Sequence, residues 1–136
     1  MSKPDSTDRP EAGAIIDYRY LLKQDEASTD GRTQLRPCLI WNVQAIETLH
    51  LVAVLPIMVG ATGARVSISP AERGALDLDP ASEVVFEEAN IFLWSGPDVI
   101  PQNDGALLRP QRASKHLLDK VALAMNGREC SAVIRS

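Results

Sequence analysis

Apolar and polar residues alternate along several short stretches of this chain, which is the pattern of β-strands that bury one face. The first stretch is 14–22, and the residues on one predicted face of it are Ile16, Tyr18, Tyr20 and Leu22. We therefore predict a strand there, entered after Gly13. A polar loop over 23–34 follows, with the turn signal Asp30-Gly31 inside it.

Five more strand patterns follow along the chain. Pro37 leads into the second strand, where a missing N–H is tolerated because it lies at the strand start. The third pattern is apolar nearly throughout, which is typical of a central strand buried on both faces. The predicted strands are 38–43, 50–58, 64–69, 82–94 and 99–101.

Two segments carry helix signals. Ser69, Pro70 and Glu72 form an N-terminal capping sequence and predict a short helix in the middle of the chain. Segment 107–127 is predicted as a C-terminal helix, because apolar residues recur there at helical spacing and Asn126-Gly127 is a helix stop.

Strands first, with one short middle helix and one C-terminal helix, predict an α+β, mostly β fold. The short, closely connected strands favour a small curved antiparallel sheet or SH3-like barrel. We predict a disordered tail over 1–12, a single domain over 13–127 and a C-terminal tail over 128–136, in which 132–134 is a frayed end or a small edge strand.

Charge and composition narrow the classes of function. The net charge of −4 disfavours binding to nucleic acid through bulk charge, but the arginines of the first half still allow a local basic site. Cys38 and Cys130 are too few and too far apart for a disulfide framework, and they indicate reduced thiols in a cytoplasmic protein. His50 and His116 are isolated, so no metal site and no cofactor are predicted.

The distribution of apolar residues predicts neither a signal peptide nor a membrane-spanning segment. The first residues are polar and have no apolar core segment of the kind that a signal peptide needs. The longest apolar stretch, 49–61, contains His50, Pro56 and Gly60, which makes it too interrupted for a membrane span. We expect no membrane association.

Two motifs resemble the PemK/MazF family of toxin–antitoxin ribonucleases. They are Leu35–Trp41 (LRPCLIW) and Glu88–Asp98 (EANIFLWSGPD). Further anchors stand in the expected order between Gly13 and Pro101: Asp17-Tyr18, Leu55-Pro56 and Leu76-Asp77-Leu78. The resemblance implies the compact curved-sheet fold of these toxins, a homodimer, and a cognate antitoxin as partner.

The activity that the resemblance implies is metal-free cleavage of single-stranded RNA, in which the ribose 2′-hydroxyl attacks the adjacent phosphate. Such a reaction needs donors that stabilise the charge developing on the phosphoryl oxygens. Arg36 falls where the Arg-Pro motif of the family carries the arginine that contacts the scissile phosphate. The alternative is a solvated arginine at a strand entrance.

Glu88 and Asn90 are the other two candidate catalytic residues. They share one face of a strand because they are two residues apart. Glu88 is a candidate general base, and Asn90 a candidate for reading a base edge. The alternative is that both form structural hydrogen bonds under the 23–34 loop.

Two positions depart from the pattern of the family. Met58 stands where a threonine is common, and a thioether cannot replace a hydroxyl that orients a phosphate. Ile91 stands where close relatives often have arginine. Thr62 is four residues beyond Met58 and is a candidate partial substitute for the missing hydroxyl.

Candidate residues for binding RNA or a partner are Lys23, Arg32, Thr62 and Trp94. The two cations belong to the polar loop, and the indole offers a surface on which a base can stack. The alternatives are solvated charges and a tryptophan that packs at the base of a turn.

Two functions are consistent with these residues. One is an endoribonuclease toxin that inhibits growth and binds a cognate antitoxin and single-stranded RNA, with no DNA bound directly. The other is a catalytically impaired member of the family that binds an antitoxin, RNA or another protein without cutting.

Overall fold

A computed structural model describes residues 9–26 and 33–135. Most of the predicted disordered tail, residues 1–8, lies outside this range. The same is true of residues 27–32, which form the middle of the predicted polar loop and include Arg32.

The described part of the chain has eight strands, two α-helices and a short 3-10 helix at Lys23–Asp25. This confirms the α+β, mostly β fold with a short middle helix and a C-terminal helix. The strands are β1 (Ile15–Leu21), β2 (Thr33–Ile46), β3 (Leu49–Val59), β4 (Arg65–Ser67), β5 (Ser82–Val85), β6 (Glu88–Leu93), β7 (Val99–Ile100) and β8 (Ser131–Ile134), and the helices are α1 (Pro70–Ala75) and α2 (Lys115–Met125).

The long strand β3 is the centre of the sheet. It pairs antiparallel with β2 along one edge, while β6 and β5 share the other edge in succession. Beyond β2 lie β1 and then β7, both antiparallel, and β4 pairs with β5. β8 pairs with β6 and is parallel to it.

A core forms on each face of the sheet, and residues 54–57 of β3 are buried on both faces, which fits the nearly continuous apolar sequence of this strand. One face, which we call the tyrosine core, holds Ile16, Tyr18 and Tyr20, as the alternation in β1 predicted. The other face, which we call the helix core, holds Ile15 and packs under α2 through Leu117 and Val121.

The prediction of a helix over 107–127 is wrong at its start, because α2 begins at Lys115. Ser114 is the N-cap, and its hydroxyl accepts a hydrogen bond from Leu117 N at 3.0 Å. Pro110 lacks an N–H, and the segment before α2 instead bonds to the start of β1: Arg109 N donates to Ile15 O and Ala113 N to Gly13 O, both at 2.8 Å.

Three other predictions of extent differ from the structure. β2 begins at Thr33 rather than at 38, since its first residues pair with the end of β1. The single strand predicted over 82–94 is two strands, because the chain turns at Phe86, whose N–H donates to Ala64 O. The tail predicted over 128–136 contains β8, so of the two alternatives there the edge strand is the one observed.

Candidate binding site beside Arg36

Two adjoining hollows lie at the end of β1, and Leu22 and Gln24 line both of them. The smaller hollow has a volume of about 220 Å³ and is lined by Tyr20, Leu22, Gln24, Asp25, Gln34 and Arg36. The larger has a volume of about 460 Å³, and its lining includes Pro56, Met58, Thr62, Val85, Glu87 and Glu88. We call the two together the groove.

Arg36 is placed in the smaller hollow by the ladder between β1 and β2. It lies opposite Tyr18, and Gln34 lies opposite Tyr20. Its Nη2 donates to Gln34 Oε1, while its Nε is buried and has no hydrogen-bond partner among the described residues. A buried donor without an acceptor is unfavourable, so this guanidinium is suited to a ligand that brings an acceptor.

The Glu88 carboxylate accepts hydrogen bonds from residues at and just after the end of β1. Its Oε1 accepts hydrogen bonds from Lys23 N at 2.8 Å and from the Tyr20 hydroxyl at 3.2 Å. These contacts fix the start of the 3-10 helix, whose residue Gln24 lines both hollows. They favour the structural alternative for Glu88, although its carboxylate also lines the larger hollow.

Asn90 is fully buried and uses its side-chain amide as a substitute for a neighbouring strand. Its Oδ1 accepts from Leu21 N at 2.9 Å, and its Nδ2 donates to Leu21 O at 2.8 Å. Arg135 Nη1 also donates to Oδ1, at 3.0 Å. Both polar atoms of Asn90 are buried and hydrogen-bonded within the fold, so the contacts again favour the structural alternative.

The two positions that depart from the family lie in different places. Met58 lines the larger hollow, and Thr62, which is exposed, lines it too. The β2–β3 ladder pairs Cys38 with Pro56; Arg36 lies two residues before Cys38 in β2, and Met58 lies two residues after Pro56 in β3. Ile91 instead lies on the opposite face of β6 from Asn90, paired with Ala53, so an arginine there would point away from the side that carries Asn90.

Two of the other predicted binding residues, Lys23 and Trp94, do not line the hollow that holds Arg36. The Lys23 ammonium is exposed and pairs with Glu26 at 2.9 Å. Trp94 is half-buried and packs against the tyrosine core, with its ring centroid 6.2 Å from that of Phe92. These contacts favour the packing alternative for Trp94, and Arg32 lies outside the described residues.

The charges along the groove do not suit a polyanion. Among the described lining residues Arg36 is the single cation, and the carboxylates are Asp25, Glu87 and Glu88. A strand of RNA carries one phosphate per nucleotide and binds chiefly through several cations. Apolar side chains occupy the space between these charges: Leu22, Pro56, Met58 and Val85.

Burial shifts the acidity of three groups near the groove. Desolvation raises the pKa of Tyr20 well above its usual range, and the nearby Glu88 carboxylate raises it further. Burial also raises the pKa of Tyr18 and of the Cys38 thiol well above their usual ranges. Tyr20 therefore stays protonated, which preserves its hydrogen bond to Glu88.

Sequence reasoning missed Arg135, which joins the two ends of the curved sheet. Its Nη1 donates to Arg19 O at 2.8 Å, and its Nη2 pairs with Asp98 Oδ2 at 2.9 Å. The available signal was weak: one arginine directly after the short apolar run 132–134. Nothing in that spacing shows that residues more than a hundred positions earlier accept its hydrogen bonds.

Comparisons with protein-family models, with curated proteins and with solved structures gave no match. Within residues 9–26 and 33–135, no helix is long and apolar enough to cross a membrane. The same residues contain no group of three or more histidine, cysteine, aspartate or glutamate side chains placed to hold a metal ion.

Proposed function

We propose that this chain is a binding protein of the PemK/MazF-like type that holds a segment of a partner polypeptide, such as a cognate antitoxin, in the groove without cleaving RNA. The proposal rests on Arg36, the single cation among the described lining residues of the groove, whose buried Nε has no hydrogen-bond partner within residues 9–26 and 33–135. The setting that we propose is the cytoplasm, in keeping with the free thiols of Cys38 and Cys130.

The lining of the groove fits a peptide better than a nucleic acid. One carboxylate of a bound peptide would meet the guanidinium of Arg36 in a fork of two hydrogen bonds. Apolar side chains of the same peptide would cover Leu22, Pro56 and Met58. Apart from Arg36, the charged groups that an RNA phosphate would meet among the described lining residues are the carboxylates Asp25, Glu87 and Glu88.

The chemistry that cleavage needs is weakly provided in the groove. Proton transfer needs a group that is free to give or take a proton within reach of the substrate. The Oε1 atom of Glu88 already accepts two hydrogen bonds, and the amide of Asn90 is fully engaged. Met58 offers no hydroxyl.

Selection from a display library of random short peptides tests the proposal. Peptides enriched on the wild-type chain are expected to share one carboxylate flanked by apolar residues. Their binding is expected to be lost in Arg36→Met and kept in Arg19→Met, a matched control. Arg19 is exposed on the neighbouring strand, opposite Leu35 and therefore on the other face of this strand pair. Enrichment of peptides that ignore the Arg36 substitution would contradict the proposal.

The second candidate function is the metal-independent endoribonuclease toxin, and the position of Arg36 in the Arg-Pro motif favours it. Its test is incubation of the purified chain with mixed single-stranded RNA in the presence of a chelator, alongside expression in a bacterial host. Cleavage and growth arrest that Arg36→Met abolishes would establish the nuclease and overturn the non-cutting proposal. Intact RNA and normal growth are the results that we expect.

The homodimer is a further part of the proposal, and an uncharged sheet face supports it. The outward side of β2, β3, β6 and β8 beyond α2 carries Ile46, Leu49, Leu51, Ala53, Ile91, Leu93 and Ile134 among its residues. Leu49 and Leu93 are each 48% exposed. Two chains of net charge −4 repel elsewhere, so a face without charges is where two copies can pack symmetrically.

Light scattering coupled to gel filtration tests this face. We expect a dimer for the wild-type chain and a monomer for Leu93→Glu. Leu35→Glu is the matched control, because Leu35 is 60% exposed at the opposite end of β2. A monomeric wild-type chain, or a dimer that survives Leu93→Glu, would contradict this interface.

A further inference from the structure

The two ends of the curved sheet are held together by side chains. One end consists of β6 and β8, and the other of β1 and β7. Asn90 bonds to both backbone groups of Leu21, and Arg135 bonds to Arg19 O and to Asp98. We call these hydrogen bonds the closure contacts.

Arg135 is the most connected member of the closure contacts. Besides Asn90, Arg19 and Asp98, it donates to the Tyr18 hydroxyl at 3.4 Å, and its guanidinium carbon lies 5.5 Å from the centre of the Tyr18 ring. The Arg135 side chain is only 11% exposed and its partner Asp98 only 21%. Because this ion pair is little exposed to solvent, its hydrogen bonds hold the two side chains in a fixed geometry.

The position of Arg135 depends on the docking of β8. Arg135 directly follows β8, and its N–H donates to Ile91 O at 2.8 Å, which continues the parallel pairing with β6. Val133 anchors the strand, because it is fully buried while the other residues of β8 are exposed. When β8 pairs with β6, the guanidinium of Arg135 therefore lies against the backbone of β1.

β1 in turn determines the shape of the groove. Tyr18 lies opposite Arg36 in the β1–β2 ladder, and Tyr20 lies opposite Gln34 and lines the smaller hollow. Leu22 directly follows β1 and lines both hollows. A shift of β1 relative to β6 would thus displace Tyr20 and Leu22, which line the smaller hollow.

We propose that Arg135 is a positioning residue for the groove, and that docked β8 holds Arg36 and Leu22 in the geometry that binds ligand. The inference rests on the proposed function, since it assigns a role to Arg135 at the same site. Arg135 does not line either hollow, so it acts through Tyr18, Asn90 and the backbone of β1.

The test is the nitrogen-15 NMR signal of Arg36 Nε–Hε in the free protein, compared between wild type, Arg135→Met and Arg135→Lys. We expect a clear shift in Arg135→Met and a smaller one in Arg135→Lys, which keeps the charge but loses the planar fork. The affinity for a peptide selected on the wild-type chain is expected to fall about tenfold in Arg135→Met, a typical size for coupling between sites.

Ser114→Ala is the control for a merely structural role. It removes the N-cap of α2 and lowers stability on the other side of the sheet, so it is expected to leave the Arg36 signal and the peptide affinity unchanged. If Arg135→Met does not fold, Asp98→Asn removes the negative charge that pairs with Arg135 and is expected to shift the same signal to a smaller extent.

Two results would overturn the inference: a folded Arg135→Met with an unchanged Arg36 signal, or a signal that Ser114→Ala moves equally far. These results are separate from the proposed function, because the NMR comparison needs no ligand. A wild-type chain that binds no peptide would refute the proposed function, while the NMR arm would still decide on Arg135.

Discussion

Asn90 illustrates how a side chain that the sequence predicts to be catalytic can instead stabilise the fold. Its amide presents one donor and one acceptor in the geometry of a backbone peptide, and it pairs with Leu21 where no strand is available. Glu88, two residues away on the same face, does the same for Lys23 N. Both residues therefore hold the end of β1 in place; Glu88 also lines the larger hollow, whereas Asn90 lines neither hollow.

Replacing Asn90 by leucine is expected to lower the free energy of unfolding by about 3 kcal/mol, because both backbone groups of Leu21 lose their partner. Asn103→Leu is the matched control, since Asn103 is exposed in the turn after β7 and is expected to change stability by less than about 0.5 kcal/mol. Urea denaturation of both variants provides the comparison. Equal losses in the two variants would contradict the role of Asn90.

The stability of the protein is expected to fall at alkaline pH. Burial raises the pKa of Cys38, Tyr18 and Tyr20 in the folded chain, so the unfolded chain releases these protons first. The stabilisation is fully present below a pH of about 8.5, where an unfolded thiol begins to ionise, and decreases as the pH rises further. The tyrosines add to the loss above a pH of about 10.

Urea denaturation at a series of pH values measures this loss. Cys38→Ala is expected to flatten the curve at pH values of about 8.5 to 10 and to leave the decline at higher pH, which belongs to the tyrosines. A wild-type stability that does not change across this range would show that the three groups are not buried in the folded state.

Candidate site residues could be predicted from the sequence where a local motif or periodicity singled them out. The residues to which they bond could not. The period of two put Glu88 and Asn90 on one face, and the Arg-Pro motif singled out Arg36. Nothing local shows that Asn90 bonds to a residue 69 positions earlier, or that Arg135 joins them. Hydrogen bonds of this sequence separation depend on how the sheet curves.

At the scale of elements, capping residues and prolines determined the start of α2 more than the apolar periodicity did. The apolar residues of 107–127 favour a longer helix, yet Pro110 and Ser114 confine α2 to its last eleven residues before Asn126. The freed segment bonds to the start of β1 and supplies Leu108 to the tyrosine core. The strand pattern of β1 was predictable because its apolar residues alternate with Asp17 and Arg19, and that of β3 because its middle residues 54–57 are buried on both faces.

Glu72 of α1 is hydrogen-bonded to Ser114, the N-cap of α2. The Glu72 carboxylate accepts from Ser114 N at 2.7 Å and from the Ser114 hydroxyl at 2.8 Å, while that hydroxyl also caps α2. Ser114→Ala is therefore expected to lower the free energy of unfolding by about 1 to 2 kcal/mol. Ser131→Ala, at an exposed site in β8, is the control, and an equal loss in both variants would contradict the cap.

At the scale of the whole molecule, charge and curvature together favour peptide binding over RNA cleavage. The chain carries a net charge of −4, and the groove itself has three carboxylates and one arginine among its described residues. The curved sheet provides the groove because β1 and β6 are held together by side chains at their ends. The fold class could be predicted from the order of elements, but the joining of the sheet ends could not.

The most direct measurement is the NMR signal of Arg36 Nε–Hε while a peptide selected on the wild-type chain is titrated in. We predict that this signal shifts and saturates together with binding measured by calorimetry. We also predict that the shift disappears when the single carboxylate of the peptide is replaced by an amide. Tight binding that leaves the Arg36 signal unmoved would contradict the account, because it would place the ligand on another surface.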